Sequence, residues 1–128
     1  MAPTRCFPVV YADDAERSAA FYERLGFVRH FQLPPEGEPG YVALRRGEAE
    51  LGVVHRSWPE DQLGVELGSP PRFELFAYVD DVDAAVDGLR GVGVPVLREA
   101  EDKPWGERVA YVADPDGNPV ALAAQATA

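Results

Sequence analysis

The sequence of 128 residues contains one cysteine, Cys6, and one lysine, Lys103. One cysteine cannot form a disulfide within the chain, and such scarcity is typical of proteins in a reducing compartment. The N-terminus also lacks the basic stretch and long apolar run of a secretory signal. The sequence therefore predicts a cytoplasmic protein.

Positive charge is scarce as well: 12 Lys and Arg residues stand against 22 Asp and Glu residues, which gives a formal net charge of −10. Nucleic-acid binding needs clustered basic residues, so we expect no nucleic-acid partner. The apolar runs are a few residues long, whereas a membrane span needs roughly 20, so we expect no membrane segment. The acidic excess either attracts cationic ligands or only keeps the protein in solution.

What the sequence does contain is the composition of a globular protein, with 46% hydrophobic and 27% charged residues. A chain of this length suits one domain and can bury a core without a disulfide or a metal. Residues 1–128 are therefore predicted to form a single domain.

A repeat with a shift of 67 positions runs through the chain, because residues 11–15 (YADDA) recur as residues 78–82 (YVDDV). The same shift relates two apolar stripes with helical spacing. Their members are Ala15, Ala19, Tyr22 and Leu25, and then Val82, Val86, Leu89 and Val92. Asp13 and Asp80 are predicted to cap the two helices, and Gly26 and Gly93 to end them in a left-handed conformation.

Runs of strand-forming residues flank each helix. The predicted strands are Arg5–Ala12, Phe27–Leu33, Tyr41–Arg46 and Glu50–His55, and then Arg72–Val79, Val94–Glu99, Arg108–Ala113 and Pro119–Ala124. Each half is thus a β-α-β-β-β module, the first at about 5–56 and the second at about 72–125, with a linker at 57–71. This pattern predicts an α+β fold of two tandem modules. Strand alternation turns Cys6 toward the helix layer as a packing thiol.

The duplicated module, with residues 21–27 (FYERLGF) closing the first helix and residues 114–118 (DPDGN) before the last strand, resembles the vicinal oxygen chelate superfamily. That superfamily includes glyoxalase I, extradiol dioxygenases, fosfomycin-resistance enzymes and bleomycin-resistance proteins. The resemblance covers about residues 5–125 and implies curved mixed sheets with helices on the outer face. Residues 7–10 (FPVV) and 103–108 (KPWGER) are most similar to the bleomycin-resistance branch.

In the metal-using members of that superfamily, the ligands come from positions that correspond here to Phe7, Gly52, Glu74 and Ala121. Glu74 is the one residue of these four that can bind a metal, whereas a catalytic cation needs about three protein ligands. Shifting the register by two residues would add Glu50 and still leave two ligands. The resemblance therefore implies no metal and no cofactor, and we interpret His30 and His55 as surface or strand-flank residues.

Aromatic positions that hold drug in the bleomycin-resistance branch are matched here by Phe31, Tyr41 and Trp105. Gly52 either leaves room for a ligand or kinks its strand, and Trp58 either covers the cavity or packs the linker. Glu74 is the expected carboxylate at the rim of an aromatic-lined trough, with Glu36, Glu38 and Glu107 nearby. The candidate ligand-binding residues are therefore Phe31, Tyr41, Trp105, Gly52, Glu74 and Trp58.

Three functions are compatible with this pattern. The first is a homodimeric, metal-free binding protein that sequesters a cationic or aromatic molecule such as a glycopeptide antibiotic, with exchange of the N-terminal strand at the Pro8 hinge as an option. The second is a lyase or dioxygenase-like metalloenzyme, and the third is a cofactorless enzyme or auxiliary protein of small-molecule metabolism. We favour the first, with no catalytic residues, because neither a phosphate-binding loop nor a nucleophile motif occurs.

Overall fold

A computed structural model describes residues 5–127 of the chain. They form two compact units whose boundary falls between Gly68 and Ser69, inside the predicted linker. Each unit holds one α-helix and one four-stranded mixed sheet, which confirms the predicted α+β class. The single-domain organisation stays a prediction.

The first unit follows the predicted β-α-β-β-β order. Its elements are β1 (Val9–Ala12), α1 (Ala15–Glu23), β2 (Val28–Leu33), β3 (Tyr41–Arg46) and β4 (Ala49–His55), followed by a single π-helical turn (Pro59–Leu63). The strands are ordered β1-β4-β3-β2 across the sheet. β1 runs parallel to β4 of its own unit, and the other pairs are antiparallel. Exchange of the N-terminal strand stays a prediction.

The second unit repeats this arrangement. Its elements are β5 (Leu75–Tyr78), α2 (Val82–Gly91), β6 (Val96–Asp102), β7 (Glu107–Ala113) and β8 (Pro119–Gln125). The strand order β5-β8-β7-β6 matches that of the first sheet position by position, and β5 again runs parallel to β8. The sequence repeat therefore reflects a repeat of topology. No helix in the described part of the chain is long and apolar enough to cross a membrane, and the cytoplasmic location stays a prediction.

The helix caps lie one residue later than the sequence suggested. Asp14 accepts a hydrogen bond from the backbone N–H of Arg17 at 3.0 Å, and Asp81 accepts one from Ala84 at 3.0 Å. A capping side chain reaches the amide three positions on. Because the helices begin at residues 15 and 82, the caps are residues 14 and 81, and the assignment to Asp13 and Asp80 was wrong.

The helix ends were placed correctly. Gly26 has φ of 94° and Gly93 has φ of 86°, both in the left-handed region that glycine adopts without a steric penalty. The chain can therefore reverse directly into the next strand.

Alternate residues of the sheets fill the core between sheet and helix. In the first unit Val10, Val42 and Val53 share one row of the ladder and are almost fully buried. α1 contributes Ala19 and Tyr22 to the buried set. Adjacent strand residues point to opposite faces, so Val9, Gly52 and Ala43 face away from α1.

β1 and β5 begin four and three residues later than predicted, and Cys6 lies outside β1. β1 begins at Val9, after Pro8, and β5 begins at Leu75 because the Arg72 N–H donates to the side chain of Asn118 at 2.9 Å and not to a neighbouring strand. Cys6 is exposed. The prediction that it packs toward the helix layer was wrong, because the residue precedes the strand whose alternation the prediction assumed.

The DPDGN segment forms a buried hydrogen-bonded turn before β8. Asp114 Oδ1 accepts from the backbone N–H groups of Asp116 at 2.9 Å and Asn118 at 2.8 Å, and its Oδ2 accepts from Asn118 Nδ2 at 3.0 Å. Asn118 Oδ1 in turn accepts from Arg72. The segment therefore ties the start of the second unit to its last hairpin, which is a structural role.

Candidate ligand-binding site

The face of the first sheet that points away from α1 carries two cross-strand rows. One row is Val9, Gly52, Ala43 and Phe31, and the other is Tyr11, Val54, Tyr41 and Leu33. Three candidate residues, Phe31, Tyr41 and Gly52, thus share one face. The pairing register of β2, β3 and β4 sets this shared face, including the register shift between Arg29 and Phe31.

Gly52 supports the ring of Tyr41. A Cβ atom on residue 52 would lie 3.3 Å from Tyr41 Cε1, 3.3 Å from Tyr41 Oη and 3.3 Å from Val9 Cγ2. The ring of Phe31 meets Tyr41 edge-on, with 6.3 Å between the centroids. The space over Gly52 is therefore occupied by a tyrosine ring of the same unit, and the missing side chain makes room for that ring.

Trp58 stands at the entry to the π-helical turn. Pro59, the first residue of the turn, is buried, and Gly64 ends the turn with φ of 67° and donates its N–H to the Pro59 carbonyl. The buried proline anchors the turn against the unit, while Trp58 remains 47% exposed. A half-exposed indole on an anchored backbone is suited to contact a ligand.

A cavity of about 550 Å³ lies in this unit. Its lining residues are Phe7, Val9, Leu33, Gly40, Tyr41 and Val54 from the sheet side, and His55, Ser57, Trp58, Asp61 and Gln62 from the segment after β4. This volume is within the usual range for small-molecule sites. Tyr41 and Trp58 line it as candidates, whereas Phe31 and Gly52 contribute through their contacts with Tyr41.

His55 and Ser57 form a local hydrogen-bonded turn at the edge of the cavity. The Ser57 backbone N–H donates to His55 Nδ1 at 3.2 Å, and Ser57 Oγ lies 2.9 Å from the same nitrogen. In the tautomer that accepts the Ser57 N–H, Nδ1 carries no proton and the ring proton is on Nε2. Interpreting His55 as a strand-flank residue overlooked that it also lines the cavity.

Asp61 is the negative charge at this cavity. It is exposed and forms no ion pair within the described part of the chain. The carboxylates that we expected around the first module were Glu36 and Glu38, which are exposed and do not line the cavity. Nothing in the sequence distinguished Asp61 from other acids, because the turn that carries it has no periodic signal.

Phe7 is held by a charged neighbour. The Arg5 guanidinium lies 4.7 Å from the centroid of the Phe7 ring and donates to Glu50 at 2.8 and 2.7 Å. This hydrogen-bonded ion pair lowers the pKa of Glu50 below its ordinary value of 4.5. Glu50, which a shifted register would have added as a metal ligand, therefore binds Arg5 instead. In the observed register Glu50 pairs with Arg45.

In the second unit, Trp105 is 59% exposed and lines a separate cavity of about 610 Å³ with Tyr78, Gly106, Glu107 and Gln125. Its indole N–H donates to Glu107 Oε1 at 2.8 Å. The Tyr78 hydroxyl also donates to Glu107, and this hydrogen bond raises the pKa of Tyr78 above 10.0. Glu74 precedes β5, is exposed and lines neither of these two cavities.

The residues present do not suit a divalent metal. Among residues 5–127, no group of three or more His, Cys, Asp or Glu side chains comes together. Three of the positions that correspond to the metal ligands of the superfamily have no donor side chain. Phe7 lines the cavity, Gly52 lies under the ring of Tyr41, and Ala121 is fully buried. A single carboxylate, Glu74, does not hold a catalytic metal.

Comparison with known proteins agrees with this fold. The sequence model of the Glyoxalase/Bleomycin resistance protein/Dioxygenase superfamily matches residues 6–122. An uncharacterized protein, YraH of Bacillus subtilis (strain 168), is 31% identical over 113 residues, which are 83% of this chain and 86% of YraH.

Solved structures agree as well. A bleomycin-binding protein complexed with bleomycin is 26% identical with a TM-score of 0.63, covering 97% of this chain and 100% of that one. Lactoylglutathione lyase from Agrobacterium tumefaciens is 23% identical with a TM-score of 0.69, covering 96% and 95% of the two chains. At that identity the lyase supports the fold alone.

Proposed function

Since the chain belongs to the glyoxalase/bleomycin resistance protein/dioxygenase superfamily, we propose that it is a small-molecule binding protein that sequesters a flat aromatic or cationic compound without a metal. An antibiotic of the bleomycin type is the ligand class we favour, because a solved relative binds bleomycin. The observation that carries the proposal is the cavity of the first unit.

The walls of that cavity suit a planar ring. Phe7, Tyr41 and Trp58 supply three aromatic side chains, and Phe31 supports Tyr41 from the edge. Each well-placed aromatic pair adds about 0.5–1.5 kcal/mol beyond area burial. Micromolar sequestration corresponds to about 8 kcal/mol, so stacking has to be combined with area burial and charge.

Charge supports a cationic ligand. Among the described residues that line the cavity, Asp61 is the one carboxylate, and none is Lys or Arg. An organic cation is attracted both by aromatic ring faces and by a carboxylate. This combination favours a cationic aromatic compound over an anionic one.

Metal independence is part of the proposal, and it rests on the donor set. Glu50 is bound by Arg5, and the ring of Tyr41 lies over Gly52. A metal-dependent lyase or dioxygenase would need metal ligands from this part of the sheet. Glu50 and Gly52 therefore give no support to the alternative of a metalloenzyme.

A homodimer is also proposed. Each unit leaves large apolar side chains exposed outside the first cavity, including Val28 and Val65 in the first and Phe76 and Leu97 in the second. A second copy of the chain can cover such surfaces through a self-complementary contact. Sedimentation equilibrium at micromolar concentration should give twice the chain mass of 14.0 kDa, whereas a monomer mass would remove this part of the proposal.

Calorimetric titration with bleomycin tests the function. Protein purified without chelators should bind bleomycin with micromolar or tighter affinity, with less than about 0.1 metal equivalent per chain by elemental analysis. The absence of heat at micromolar protein would remove bleomycin as ligand. A stoichiometric divalent metal, whose removal by a chelator abolishes a lyase or dioxygenase activity, would favour the metalloenzyme.

Two matched pairs of variants locate the site. Trp58→Ala should weaken binding by more than about 1 kcal/mol, whereas Trp58→Phe keeps a ring and most of the affinity. Asp61→Asn should weaken binding about fivefold and reduce its salt dependence, whereas Glu60→Gln, in the same turn but outside the cavity lining, should change neither. Equal effects of the two acidic variants would rule out a specific role for Asp61.

A further inference from the structure

The hairpin between β6 and β7 presents Trp105 at its tip. Gly106 donates its N–H to the Lys103 carbonyl at 3.0 Å, and the Lys103 N–H donates to the Glu107 carbonyl at 2.7 Å. Gly106 has φ of 94°, as in turns that close with a left-handed glycine. Ala126 also donates its N–H to the Gly106 carbonyl at 3.0 Å, so the backbone under Trp105 is fixed.

A fixed backbone does not fix an exposed side chain. The indole of Trp105 is 59% exposed, and packing alone leaves it free to rotate about two side-chain torsions. A ring that moves between orientations loses conformational entropy when a ligand stacks on it, which weakens binding. A useful stacking surface therefore needs a second restraint.

Glu107 supplies that restraint from the adjacent strand. Glu107 is paired with Gln125 in the ladder, and Tyr78 lies two rows away with Ala123 and Val109. Alternation places Glu107 on the same face as Tyr78. The carboxylate accepts the Trp105 indole N–H at 2.8 Å and the Tyr78 hydroxyl, so two aromatic side chains are joined through one acceptor.

We propose that Glu107 is a positioning residue that holds the exposed indole of Trp105 in one orientation, so that the ring offers a preformed stacking face to a planar ligand. The inference rests on the proposed function for its ligand. The orientation itself is a property of the ligand-free protein and can be tested without a ligand.

The first test uses time-resolved fluorescence anisotropy. The chain has two tryptophans, so Trp58→Phe leaves Trp105 as the one emitter. In that background Glu107→Leu should at least double the amplitude of subnanosecond indole motion, and Glu107→Gln, whose amide oxygen can accept the indole N–H, should restore most of the order. Glu101→Leu removes a carboxylate that pairs with Lys103 in the same hairpin and should leave the amplitude unchanged.

An unchanged amplitude in Glu107→Leu would overturn the proposal. If that variant does not fold, hydrogen exchange of the two indole N–H groups in the wild-type protein decides: we expect the Trp105 N–H to exchange at least fivefold more slowly than that of Trp58. An equal or faster rate for Trp105 would contradict the restraint.

The second test is a double-mutant cycle with bleomycin as probe. Glu107→Leu should raise the dissociation constant about three- to tenfold when Trp105 is present and have no effect in the Trp105→Ala background. The same weakening in both backgrounds, or no weakening in either, would mean that Glu107 does not act on ligand binding through Trp105. If the wild-type protein does not bind bleomycin, bleomycin is removed as the proposed ligand. The anisotropy measurement then decides by itself whether Glu107 positions Trp105.

Discussion

The phenol ring of Tyr41 lies over the α-carbon of Gly52, so that a side chain on residue 52 would meet the ring within 3.3 Å. This contact sets how far Tyr41 projects into the cavity of the first unit. The same contact also occupies the place where metal-using relatives are expected to carry a ligand.

Substitution of Gly52 should move the tyrosine. Gly52→Val adds strand-forming propensity, but we expect overpacking against Tyr41 and Val9 to lower the free energy of unfolding by about 1–3 kcal/mol and to weaken bleomycin binding. Urea unfolding and calorimetry measure the two effects.

Gly88 provides the control for Gly52. It lies inside α2, and a Cβ atom on residue 88 would meet no atom within 4 Å, so Gly88→Ala should raise the free energy of unfolding by about 0.5–1 kcal/mol. A stable Gly52→Val variant with wild-type affinity would refute the role of the contact.

Variants of the neighbouring residues Asp80 and Asp81 show which of the two caps α2. Asp81 accepts the Ala84 N–H and Asp80 does not, so Asp81→Ala should lower the free energy of unfolding by about 1 kcal/mol. Asp80→Ala should change it by less than about 0.5 kcal/mol. Urea denaturation of both variants checks the assignment, and a reversed order would make Asp80 the cap.

Asp114 should be the most sensitive acid of the second unit. In Asp114→Asn, the new NH₂ group would face the side-chain NH₂ group of Asn118, which now donates to the carboxylate. Asn118 cannot turn its side chain around, because its Oδ1 accepts the Arg72 N–H. We expect Asp114→Asn to cost about 2–3 kcal/mol of unfolding free energy. Asp87→Asn, at an exposed position of α2, should cost less than about 0.5 kcal/mol.

Acid should destabilise the protein partly through the pair of Arg5 and Glu50. The pKa of Glu50 is lowered in the folded state from 4.5, so the unfolded state binds the proton first as pH falls. The stabilisation is present above about pH 4.5 and is lost as the pH drops through the folded pKa.

The unfolding free energy, measured by urea denaturation at several pH values below about 4.5, should therefore fall less steeply with decreasing pH in Glu50→Gln than in the wild-type protein. Arg5→Gln should show the same shallower dependence on pH as Glu50→Gln, since it removes the same ion pair. Slopes as steep as that of the wild-type protein in both variants would mean that Glu50 does not contribute to acid sensitivity.

Much of the architecture could be predicted from local patterns. The 67-residue repeat and the helical stripes of Ala15 and Val82 locate two equivalent modules, and Gly26 and Gly93 mark both helix ends. The predicted strand starts at Arg5 and Arg72 were wrong: β1 begins after Pro8, which has no N–H to donate, and the Arg72 N–H donates to the Asn118 side chain. The capping error of one residue arose because two consecutive aspartates offer the same chemistry, and the start of the helix decides between them.

The sequence by itself determined the fold class and the family, because period and repeat are properties of the chain, whereas the pairing register placed Phe31, Tyr41 and Gly52 on one sheet face. The tertiary structure alone decided that Asp61, His55 and Ser57 join Tyr41 and Trp58 around one cavity, that Gly52 supports a ring, and that Glu107 accepts the indole N–H of Trp105. These relations join residues from an irregular turn and from adjacent strands, and no spacing along the chain encodes which side chain meets which.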